Sequence, residues 1–122
     1  MKQNLETIPT LMEGPGMLMK REAGFGGMDA TYAQLPKGTD FSPLLKGLCN
    51  DSCHSPHWGY MLQGVFRILY DAGKEEVLEP GDFFYLPAGH TAMVDADMKV
   101  IFFSPEKEHG EVLEHIKKVI EG

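Results

Sequence analysis

Basic residues are scarce in this chain: eleven Lys and Arg stand against eighteen Asp and Glu, for a net charge of −7. A nucleic-acid partner calls for a basic footprint, and an anionic membrane surface asks for the same sign, so neither partner is expected. Cysteine is scarcer still. The two present, Cys49 and Cys53, are too few for the disulfide framework of a small secreted domain. No apolar run reaches the roughly 18 residues that spanning a bilayer requires. The opening MKQNLETIPTLMEG has one lysine, then polar residues and Glu6, without the apolar stretch of a secretory leader. A cytoplasmic protein is expected, and in that reducing compartment the cysteines are free thiols or ligands. Gly-x-x-x-x-Gly-Lys-Ser/Thr is missing despite glycines in the first 27 residues, and so is Gly-x-Ser-x-Gly. Phosphate-loop and serine-hydrolase chemistries therefore have no motif to stand on. There is no internal repeat.

What is present fits one domain, residues 1–122, with 43% hydrophobic residues to build a core. Gly14-Pro15-Gly16 and Gly24 to Gly27 break the N-terminal region into an irregular arm with room for one or two short strands. Beyond it, a barrel core is expected over about 28–104. Met28–Leu35 alternates as a strand, and Phe41–Leu48 fits a short helical turn or an irregular strand. Tyr60–Tyr70 is a long apolar-aromatic run broken at Gln63-Gly64. Asp71-Ala72-Gly73-Lys74 and Glu79-Pro80-Gly81-Asp82 are turns. Glu75–Leu78, Phe83–Leu86, His90–Val94 and Lys99–Phe103 read as further strands, the last two separated by a turn at Asp95-Ala96-Asp97. Many short strands at close intervals indicate an all-β sandwich or barrel. The period then changes. Ser104-Pro105 reads as a helix cap followed by proline at the first position. Val112, Leu113, Ile116, Val119 and Ile120 form one face of a C-terminal helix over about 105–121. His109 and His115 are expected on its solvated surface.

The chemistry concentrates in Cys53-His54-Ser55-Pro56-His57-Trp58-Gly59-Tyr60 and in Pro87-Ala88-Gly89-His90. In an extended strand, residues i, i+2 and i+4 share a face. Cys53, His57 and Gln63 then point one way, and His54, Trp58 and Tyr60 the other. Cys53 and His57 facing inward, with His90 from a neighbouring strand, make a three-donor metal set with a coordination position to spare. Thiolate and imidazole suit zinc, with iron and nickel open as alternatives because imidazole serves them too. Pro56 marks an edge or a bulge, which could exchange His54 for Cys53. Cys49, four residues earlier, could close the site as a fourth donor. Gln63 and Tyr85 are candidate pocket residues. No residue is singled out as catalytic.

With these segments on the page, the chain resembles the cupin superfamily of small jelly-roll barrels, in particular short single-domain bacterial cupins with a Cys…Pro-His-Trp-Gly-Tyr first motif. The usual first motif carries His-x-His, then Glu, then Gly. Counting back from Gly64 places His57 at the glutamate and Cys53 near the second histidine. The second motif keeps Gly81-Asp82 and Pro87-Ala88-Gly89, but Ala92 holds the usual histidine position and His90 stands two residues earlier. The resemblance implies a cupin jelly-roll β-barrel with a C-terminal helix, a bound divalent metal with zinc favoured, and a homodimer. It implies a metal-dependent enzyme acting on a small polar metabolite. A non-catalytic sensor of a small molecule or metal, or a structural dimerisation barrel, is the alternative.

Overall fold

The computed structural model describes residues 1–122. The chain runs β1 (Thr10–Gly14), β2 (Met17–Phe25), β3 (Met28–Leu35), α1 (Ser42–Leu45), a 3-10 turn (Cys49–Asp51), β4 (His57–Tyr70), β5 (Glu75–Leu78), β6 (Phe83–Leu86), β7 (His90–Pro105) and α2 (Glu106–Glu121). All strand pairs are antiparallel. The order is β1-β2-β3-β7-β4-β5, and β6 joins the N-terminal half of β4. The result is a jelly-roll barrel with one helix packed on it. The arm carries both of the strands it had room for, and β2 lies along β3 from Leu18↔Gln34 to Phe25↔Met28.

Two long strands, β4 and β7, hold the barrel together. Their ladder runs from Trp58↔Phe103 to Tyr70↔His90, with register shifts between Met61 and Phe66. Gly64 sits at φ +85°, and a Cβ there would collide with the β7 backbone at Asp97 and Met98. A side chain is excluded by both conformation and space. The irregularity inverts the facing of β4: His57 and Met61 are buried before it, and Ile68 after it. Gln63 therefore projects outward, against the regular alternation expected. Across from it, Asp95-Ala96-Asp97 is not a turn. β7 continues through it as a single 16-residue strand and absorbs the extra residues as a bulge.

On the inward face of β7, His90, Ala92, Val94, Met98, Val100 and Ser104 are buried and Ala96 and Phe102 half-buried, as a strand with one face on the core requires. Ala92, Val94, Met98 and Val100 pack with Met19, Ala33, Leu35, Met61, Ile68 and Leu86 into the main core. Leu113 of α2 joins that core, while Val112 and Ile116 close a second cluster with Leu45 and Cys53. Each such aliphatic side chain contributes about 1.5–3 kcal/mol on burial, so α2 is a fixed wall of the barrel. Its apolar face is shorter than expected: Val119 and Ile120 are 39% and 55% exposed. Ser104 does not cap the helix. Pro105 holds the cap position without a side-chain bond, and Ser104 is the buried penultimate residue of β7.

Candidate metal centre

Cys53 lies four residues before β4 begins. Its backbone forms an isolated bridge with the start of β7: Cys53 N donates to His90 O at 2.7 Å, and Gly89 N donates to Cys53 O at 2.8 Å. That bridge, rather than a continuous strand through Pro56, brings the thiol beside His90. His57 reaches the same point from the first residue of β4. The three donor atoms, one each from Cys53, His57 and His90, lie within 4.8 Å of one another, and all three residues are buried. Cys53 Sγ is 3.4 Å from His57 Nε2.

Both imidazoles are held through Nδ1. His90 Nδ1 lies 2.8 Å from Pro87 O. A carbonyl only accepts, so Nδ1 carries the hydrogen and Nε2 keeps its lone pair. His57 Nδ1 lies 2.5 Å from Ser104 Oγ, which frees its Nε2 to face Cys53. Partners on the outer nitrogen that fix ring and tautomer are the usual support of metal-ligating histidines.

Burial, followed by the neighbouring His90 and His109, holds His57 well below the ordinary imidazole value. Burial also lowers His90. Both rings are thus neutral at pH 7, the form a metal takes. Burial pushes the Cys53 thiol up to about 11, only partly offset by its bond to the Ser55 carbonyl. A metal at this thiol has to displace a proton. The Cys53–His57 separation is close to the roughly 3.5 Å edge expected between sulfur and nitrogen on tetrahedral zinc with bonds near 2.3 and 2.0 Å. By donor chemistry and tautomer, the residues fit a divalent ion.

The remaining candidates lie elsewhere. His54 faces Glu111, 3.7 Å away, with a third of its side chain exposed. The pocket-facing residue of the pair is Cys53. Cys49 is exposed on the 3-10 turn. Gln63 reaches only the Asp97 carbonyl, at 3.4 Å. Tyr85 is 52% exposed and stacks on Trp58 at 5.1 Å on the outer face of the sheet.

His109 was expected at the solvated surface, but it is 3% exposed and lines the pocket. Its ring meets His57 edge-to-face at 5.4 Å. Its Nδ1 is 2.8 Å from Oδ2 of Asp29, a fully buried carboxylate that Arg21 Nε also reaches, at 2.7 Å. The sequence signal is its place at the head of the stripe His109, Val112, Leu113, Ile116, spaced i, i+3, i+4, i+7. Gly110 leaves room for Arg21, whose Nη2 would stand 3.3 Å from an added Cβ. Asp29 and Ser104 carry no motif and become visible only once β3 and β7 are paired at Asp29↔Ser104. The cavity lined by Cys53, His57, His90 and His109 measures about 90 Å³, and Met19, Leu35, Ile68, Met98 and Phe102 are among the apolar side chains that surround it.

No protein-family model and no curated protein matches the chain. Solved structures do. An RmlC-like cupin from Shewanella frigidimarina NCIMB 400 superposes with a TM-score of 0.59 at 20% identity, covering 88% of this chain and 92% of the other. Ectoine synthase from P. lautus gives 0.62 at 14% identity over 87% and 78% of the two chains. FeII HppE gives 0.57 at 10% identity over 85% and 59%. The fold is therefore the cupin fold, a jelly roll. Within it, this chain is a small single-barrel form whose inward donors are one cysteine and two histidines.

Proposed function

We propose that the chain is a metal-binding cupin in which Cys53, His57 and His90 hold one divalent ion, and that it acts as a metal-dependent enzyme on a small molecule bound in the barrel. The convergence of the three donors, with Ser104 and Pro87 on the outer nitrogens of the two rings, carries this reading. Zinc is favoured because the thiolate replaces a harder donor, with iron and nickel next. A three-ligand centre keeps a position open and supplies Lewis acidity there. The protein's own part is to orient the rings and to exclude water with an apolar lining. It also places the Asp29-linked His109 beside the ligands. The neighbour FeII HppE is an iron-loaded cupin fold, which supports metal chemistry in this architecture without naming the reaction here.

A non-catalytic sensor is the second reading. A buried thiol among the donors, with no carboxylate in the set, favours tight retention of a metal. Metal content by mass spectrometry on tag-free protein, beside Cys53→Ala, His57→Ala and His90→Ala, tests the centre. About one ion per chain, lost in each variant while the far-ultraviolet dichroism is kept, is the expected result. No metal after reconstitution would remove both readings.

A further inference from the structure

The cavity beside the donors has a polar corner and an apolar body, and the two are unequal. Most of its lining is aliphatic or aromatic. Apart from Cys53, His57 and His90, the polar side chains are Thr91 and His109. His109 differs from the three donors in its support. Its Nδ1 is committed to Asp29 Oδ2 at 2.8 Å, and Arg21 clamps the same oxygen. No protein group bonds its Nε2, and this nitrogen is not among the side-chain atoms sealed from solvent. A histidine docked on a buried carboxylate in the wall of a cavity, with its second nitrogen unbonded, is a fixed hydrogen-bonding group available to whatever enters.

Size limits the guest. At about 90 Å³, the cavity is smaller than the roughly 150 Å³ apolar cavity that accepts a benzene ring. A polyhydroxylated or multiply charged metabolite would bury several polar groups against aliphatic walls, at a cost of about 1–3 kcal/mol for each left unpaired. A small branched hydrocarbon body with one oxygen head meets no such penalty.

We propose that the pocket takes a compact, mainly apolar molecule carrying a single oxygen head group, and that His109, fixed by Asp29 and Arg21, is the residue that orients this head beside Cys53, His57 and His90. The inference deepens the pocket reading above and moves the ligand class away from the polar metabolite expected from sequence. His109 binds the ligand in its own right, so the assignment is testable on metal-free protein.

The test uses isobutanol as ligand, glycerol as polar control and xenon as a headless apolar probe, read by the methyl resonances of Met19 and Met98. Isobutanol and xenon are expected to shift both methyls saturably, and glycerol to leave them in place. His109→Leu should weaken isobutanol about three- to tenfold, the equivalent of one hydrogen bond, and leave xenon within about twofold. His109→Gln, which keeps a polar head, should restore most of the loss. In wild-type protein, isobutanol should also move the His109 Nε2 nitrogen resonance and xenon should not, a readout that needs no variant to fold. Glycerol binding as well as isobutanol would overturn the proposal. So would equal losses for isobutanol and xenon in His109→Leu, or an unmoved Nε2 at saturation. A chain that binds isobutanol through His109 but takes up no metal sinks only the metal centre. One that loads zinc and ignores isobutanol sinks only this assignment.

Discussion

Ser104 shows how much one hydroxyl can decide. It is fully buried at the end of β7, and its oxygen meets His57 Nδ1 at 2.5 Å. Outer partners of this kind are worth about 10–100-fold in metal affinity. Ser104→Ala is therefore expected to weaken zinc by that factor and to lower the melting temperature by several degrees, because it leaves the buried His57 Nδ1 unpaired at a cost of about 1–3 kcal/mol. Competition against a chromophoric chelator measures the first quantity and calorimetry the second. Unchanged zinc affinity would mean that His57 is oriented by packing alone. The same residues set an acid dependence. His57 and His90 are lowered below 6.5 by burial, so in the metal-free protein the unfolded chain takes their protons first. Stability should fall as pH drops below about 6.5 and keep falling until the folded values are passed. Asp29 adds a lower window: burial raises it, but the bonds from His109 and Arg21 outweigh burial and its net value is lowered. Its contribution is complete above 3.8 and is lost as pH falls through its folded value. Urea midpoints of chelator-treated protein between about pH 8 and pH 2 test both windows, and a flat profile from about 8 to 5 would refute the upper one.

At the scale of elements, the irregularity at Gln63–Phe66 is the joint on which the pocket depends. It lets β4 present His57 and Met61 inward from its first half and Ile68 from its second. Gly64→Ala places a methyl at φ +85° against the Asp97 carbonyl. The conformation alone costs about 1–2 kcal/mol, and the β7 backbone must also move. We expect a clear fall in melting temperature together with weakened zinc binding, because the second half of β4 pairs with the start of β7 through Tyr70↔His90. A stable variant with full zinc affinity would show that the two halves of β4 are independent. This joint also marks the limit of what the sequence discloses. The strands β5 and β6, bounded by Asp71–Lys74 and Glu79–Asp82, are legible from local turn chemistry, and the inward placement of His57 and His90 follows from period-two spacing. The bulge is not legible in the same way. Gln63-Gly64 announces a break, but its effect on facing depends on how many residues β7 inserts opposite it. Ser104 read locally is a helix cap. Only the pairing of β7 with β3 turns it inward, and tertiary placement overrides the capping preference. His109 is half legible, since its helical spacing to Ile116 was visible but the buried Asp29 that receives it lies 80 residues away.

For the molecule as a whole, the outer face of the sheet presents the unresolved surface. Across β6, β4 and β7, cross-strand pairing lines up Tyr85, Trp58 and Phe103 in one row and Phe83, Tyr60 and Ile101 in the next. Phe83 is 87% exposed and Tyr85 52%, although Tyr60 and Phe83 already meet edge-to-face at 4.8 Å. A contiguous exposed apolar patch of this kind marks an interaction surface. A stable interface buries about 800 Å² on each partner, and these side chains, 36% to 87% exposed, would form its apolar centre, with the surrounding sheet face supplying the rest. The chain's net charge of −7 opposes self-association at a distance, but the patch side chains carry no charge, and the interface would exclude the acidic surface rather than pair it. We therefore expect a homodimer through this face. Light scattering at about 10 μM should give twice the chain mass. Phe83→Glu combined with Tyr85→Glu should give the monomer with metal content unchanged, since neither residue lines the pocket. A wild-type monomer would refute the dimer outright. A dimer indifferent to the double substitution would place the contact elsewhere, with the open edges of β1 and β5 next to be tested.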